Sequence, residues 1–145
     1  MQTNRVRASL FGVAAIAIFG SLSVVAEAPK SQWDGVYSDA QMKRGETMYV
    51  EHCGICHGGD LLGGEMAPAL IGGAFQANWN EQSLGDLFER IRISMPLTAP
   101  GSLSRAETAE ILAYLLAKGG YPAGAEDLPA QVETLNSIKF IAAKP

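Results

Sequence analysis

Three stretches of the chain repeat apolar residues at helical spacing, and between the first two the pattern lapses into glycine. Met42, Gly45 and Tyr49 stand at i, i+3 and i+7, behind a Ser38/Gln41 pair with the form of a capping box, which predicts a helix from about Asp39 to His52. Leu84, Leu87, Phe88 and Ile91 share one side of a second predicted helix, opening near Ser83 with Asp86 in its first turn. It ends before Met95, because Pro96 pushes its predecessor out of helical geometry. A third runs from the Ser104/Glu107 capping box through Ile111, Leu112, Leu115 and Leu116 to a stop at Gly119 and Gly120. Between them, Gly58, Gly59, Gly63 and Gly64 surround Leu61 and Leu62, and Gly72 and Gly73 follow Leu70. This reads as loop, suited to close passage around a flat ligand. A phosphate cradle would need a preceding strand and a following lysine, and has neither. From Tyr121 the pattern fades into a tail with weak helical character over 132–138. The fold class expected is all-α.

The first residues follow another order: Arg5 and Arg7, an apolar run from Leu10 to Phe19, then small residues leading to Val24, Val25 and Ala26. That is the order of a secretory signal peptide, residues 1–26, cleaved after Ala26. The alternative is an uncleaved membrane anchor, since 8–26 approaches the ~20 residues needed to span, although Gly12, Gly20, Ser21 and Ser23 weaken it. Either way the remainder is exported, and a periplasmic location is expected. Lys plus Arg number 11 and Asp plus Glu 15; cleavage removes two arginines and no acid, moving the net charge from −4 to −6. An acidic surface disfavours nucleic acid and anionic lipid and favours docking to a basic patch. What remains divides into an N-terminal extension (27–38), one domain (39–118) and a C-terminal extension (119–145), with no internal repeat.

The candidate chemistry lies in Cys53, Gly54, Ile55, Cys56 and His57, a CxxCH. This spacing attaches haem c through two thioethers to Cys53 and Cys56 and makes His57 an axial iron ligand. These are the only two cysteines, so no thiol is left over. Two other chemistries use closely spaced cysteines. A thioredoxin-like CxxC sits where a strand enters a helix, whereas here a helix runs into it. A zinc site would have to draw on Cys53, Cys56, His57 and His52, which crowd one turn too closely to close a tetrahedron.

With these residues in place, 39–118 resembles the class I cytochromes c, small helical electron carriers. The resemblance implies a class I fold with N- and C-terminal helices crossing and haem enclosed by loops. A glycine and an aromatic meet at that crossing, and Gly45 and Tyr49 fit them, with Leu112 and Leu115 opposite. It further implies that Pro68 orients His57 through its carbonyl, that Met95 supplies the second axial sulfur, and that Trp79 contacts a haem propionate. Met66 is the competing sulfur, placed on the histidine side by its nearness to Pro68. Met42 and Met48 read as packing, His52 as a helix-end residue, Phe75 and Phe88 as core or haem packing, and Arg90 and Arg92 as propionate partners or solvated charges.

The function implied is transfer of single electrons in the periplasm, by a carrier rather than an enzyme. The stretch MPLTAPGSLS (95–104) and the long tail are similar to small cytochromes c associated with proteobacterial quinoprotein dehydrogenases. Redox proteins are the expected partners: such a dehydrogenase as donor, and a terminal oxidase or another cytochrome as acceptor. The alternative is a haem enzyme or gas sensor with a displaceable sixth ligand, against which no distal histidine with a neighbouring arginine is found. A thiol oxidoreductase is a third class and would be colourless.

Overall fold

The computed structural model describes residues 30–145, so the expected leader lies outside the described residues. Helix α1 (Asp39–His52) opens on Ser38, whose hydroxyl accepts the Gln41 N–H at 3.0 Å. The reciprocal half of that capping box is not made. Gln41 is buried, and a buried amide left unpaired costs ~1–3 kcal/mol. Its side chain pairs instead with the Leu128 backbone, donating to the carbonyl at 2.9 Å and accepting the N–H at 2.7 Å. The C-terminal segment is thereby fastened to α1, and the Tyr37 hydroxyl, donating to the Tyr121 carbonyl at 2.6 Å, fastens it again.

A single turn, α2 (Gly54–His57), follows α1 directly, and α3 (Gly72–Trp79) occupies part of the stretch expected to be loop. Helix α4 (Leu84–Ser94) has a full capping box: Ser83 Oγ accepts the Asp86 N–H at 3.0 Å and Asp86 Oδ2 accepts the Ser83 N–H at 2.9 Å. Its Leu84, Leu87, Phe88 and Ile91 are all buried, and its last bond runs from Met95 N to the Ile91 carbonyl. Helix α5 (Arg105–Lys118) is boxed in the same way by Ser104 and Glu107. It is followed by the one-turn α6 (Val132–Leu135). Among the described residues a pair of two-residue strands departs from an all-α chain, β1 (Lys30–Ser31) parallel to β2 (Ile138–Lys139).

Helix α5 is the hub, buried on nearly every side from Thr108 to Leu116. Helix α1 crosses it at Gly45, where a Cβ would overlap the Glu110 carbonyl and stand 3.0 Å from Tyr114 Cβ. Only glycine allows that approach. The rings of Tyr49 and Tyr114 meet beside it at a tilt of 41°, centroids 5.2 Å apart. The residues facing Gly45 are therefore Glu110 and Tyr114, rather than the Leu112 and Leu115 expected. Leu112 is in the core, and Leu115 turns toward the cleft described below. The extensions are also core: Tyr121, Leu128, Leu135, Ile138 and Phe140 are buried with the helices.

Candidate functional site

Helix α1 delivers the chain to Cys53, which is buried, and α2 carries Cys56 and His57 onward. Tyr49 fixes the exit of this turn, its hydroxyl donating to the Gly58 carbonyl at 2.7 Å. Burial, and then the adjacent Cys53, push that phenol up to about 12. Burial, reinforced by Cys56, likewise pushes the Cys53 thiol up to about 11. A redox-active CxxC needs a depressed thiol and a strand leading into it; here the Cys53 thiol is raised and a helix leads in. Nor is a zinc site built here: among the described residues no three His, Cys, Asp or Glu side chains are grouped to hold a metal.

The loop after His57 turns back on it. Gly63 N donates to the His57 carbonyl at 2.9 Å and Leu70 N to the Leu61 carbonyl at 2.8 Å, with Leu61 wholly buried at φ +64. A left-handed leucine costs ~1–3 kcal/mol and persists only where packing over-determines it. The fold brings the Pro68 carbonyl to 2.8 Å from His57 Nδ1. Gly63 makes room for this at φ +74, since a Cβ there would come within 2.6 Å of Pro68 C and Ala67 O. With Nδ1 occupied, Nε2 is the nitrogen left to a metal.

His57, Cys53 and Cys56 line an apolar cleft of about 380 Å³. Met95 lines the same cleft from the C-terminal end of α4, and Trp79 from the end of α3. Both are half-buried. Met66 also borders the cleft, two residues before Pro68 and 73% exposed. Met42 and Met48 pack against the core instead. Of the two arginines, Arg90 lines the cleft, while Arg92 is held by Glu89 through two bonds of 2.7 Å. His52 lines the mouth, with Nε2 4.0 Å from Glu51.

The donor set fits haem c. The lining of this apolar slot includes two thiols, the imidazoles of His57 and His52, the thioethers of Met66 and Met95, and no carboxylate. Sequence reasoning missed α3 as a wall of this slot. Phe75 and Trp79, one helical turn apart, were the available signal, masked by Gly72 and Gly73 at its start. Among the described residues no helix is long and apolar enough to cross a membrane.

No curated protein matches the chain. The crystal structure of the sulfane dehydrogenase SoxCD from Paracoccus pantotrophus is similar over 83% of this chain and 68% of that one, at 22% identity and a TM-score of 0.49. Residues 40–115, just over half of the chain, match the family described as cytochrome c oxidase, cbb3-type, subunit III. With that match beside the CxxCH and the helical fold, the chain belongs to this family of cytochrome c domains, which carry covalently attached haem c and transfer electrons.

Proposed function

We propose that the chain is a monohaem electron carrier of the periplasm, with haem attached to Cys53 and Cys56 and iron held between His57 and Met95. It accepts electrons from an exported dehydrogenase, a quinoprotein enzyme by the resemblance of residues 95–104, and passes them to a terminal oxidase or another cytochrome. Residues 1–26 act as the signal peptide and 39–118 as the haem domain. The observation that carries this reading is one apolar cleft lined by both His57, engaged at Nδ1 by Pro68 at 2.8 Å, and the helix-terminal Met95. When bound, haem c supplies a one-electron couple whose potential His/Met ligation raises.

The residues of the chain have separable tasks in this scheme. The Pro68 carbonyl fixes the His57 ring and strengthens it as a donor. Met95 offers a soft sulfur suited to ferrous iron. Trp79 and Arg90, which both line the cleft, serve as donors for propionates. Purified from a host able to mature such proteins, the secreted chain is expected to keep one haem after denaturation and to accept electrons one at a time from a quinoprotein dehydrogenase. Ready binding of carbon monoxide by the ferrous protein would overturn the carrier reading in favour of a sensor or enzyme.

A further inference from the structure

Residues 138–142 run as a strap between the N-terminal segment and the link joining α3 to α4, bonded to both. On one side β2 pairs with β1, and the buried Gln32 side chain makes two bonds to the Ile141 backbone, at 2.6 and 2.8 Å. The Trp33 indole adds a third bond at 2.9 Å. On the other side, Glu81 N donates to the Phe140 carbonyl at 2.7 Å, Phe140 N to the Gln82 carbonyl at 2.8 Å, and Ala142 N to Asn80 Oδ1 at 2.8 Å. The Phe140 ring is wholly buried and meets Phe75 edge-on at 6.0 Å; Phe75 in turn lies 6.3 Å from Trp79. Phe75 and Trp79 both line the cleft.

Helix α3 has eight residues and none of them is fully buried. A helix so short does not stand on its own hydrogen bonds, and this one has little burial to hold it. Its support comes from the ring of Phe140 and from the strap's grip on the turn that ends it. We propose that the C-terminal strap is a positioning element for the haem cleft, holding the α3 wall through Phe140 and thereby setting the reduction potential. The inference rests on the seating of haem in this cleft. Without the strap the wall loosens and water enters, which stabilises the ferric charge and lowers the potential.

The test is redox titration of the full-length, haem-loaded protein in three forms: Gln32→Ala, Phe140→Ala and Phe140→Leu. Gln32 does not line the cleft and reaches the strap only through the backbone of Ile141, next to Phe140. Gln32→Ala and Phe140→Ala are expected to shift the ferric-to-ferrous ratio at a fixed potential about tenfold toward ferric, a fall of about 59 mV for one electron. Phe140→Leu, which keeps most of the buried bulk, is expected to recover most of that shift. Should Phe140→Ala fail to fold, Gln32→Ala carries the same test. A folded, haem-bearing Gln32→Ala protein at the wild-type potential would overturn the inference while leaving the haem seat intact. A wild-type protein without haem would overturn the seat itself.

Discussion

The histidine and methionine sides of the cleft are built on different principles. His57 is 8% exposed, sits in a turn fixed at Tyr49 and Gly58, and is met by the Pro68 carbonyl at 2.8 Å. A left-handed Leu61 and a Gly63 that admits no side chain hold that loop in one shape. Met95 has no such collar. It is half-buried at the stop of α4, between a buried helix and exposed Leu97, 73% accessible. One side is fixed by local bonds around the ligand; the other is fixed at a distance, by whatever holds α4. For the proposed ligand pair this means an imidazole set for life and a sulfur whose bond reports on the packing of a helix.

Loss of the packing beneath α4 should separate the two sides most sharply. Phe88 is wholly buried, and Phe88→Ala is expected to cost about 3–5 kcal/mol in denaturant melts. The near-infrared sulfur-to-iron band should weaken while haem stays attached through the thioethers. Gly63→Ala attacks the opposite side: a Cβ at φ +74 pressed on the Pro68 backbone should cost about 1–3 kcal/mol and pull the carbonyl from Nδ1. A weaker imidazole donor raises the midpoint potential, which redox titration reads. Ser83→Ala removes the cap of α4 and should cost about 1 kcal/mol, again measured by denaturation.

The smallest effect is that of acid on α4. Bonds from Ser83 hold the Asp86 carboxyl below its ordinary value of 3.8. A depressed carboxyl contributes stability above its unfolded value and loses it as pH falls through the lower, folded one. The sulfur band should therefore fade with acidification below about pH 4, and this limb of the titration should shrink in Asp86→Asn.

What was legible in the sequence were features whose cause is local. Ser83/Asp86 and Ser104/Glu107 form the boxes their spacing announces, and Pro96 marks the end of α4; the close crossing at Gly45, whose partners are distant, was legible only through the family resemblance. What escaped depended on partners far along the chain. Gln41 looked like a capping residue, yet its amide goes to Leu128, and nothing near Gln32 signals its pairing with Ile141. Tyr121 to Pro145 read as a tail because its apolar residues are sparse; Tyr121, Leu128, Leu135, Ile138 and Phe140 are nevertheless buried in the same core as the helices. Helix α3 was hidden by Gly72 and Gly73 at its start and by the distance along the chain to its packing partner Phe140.

The central claim is that His57 and Met95 grip one iron from the two sides of this cleft. It is tested most directly by the near-infrared spectrum of the ferric protein in wild type, Met66→Leu and Met95→Leu. The band should be present in wild type, unchanged in Met66→Leu and absent from Met95→Leu. A band that survives in Met95→Leu and vanishes in Met66→Leu would move the sulfur to the other loop and contradict the account.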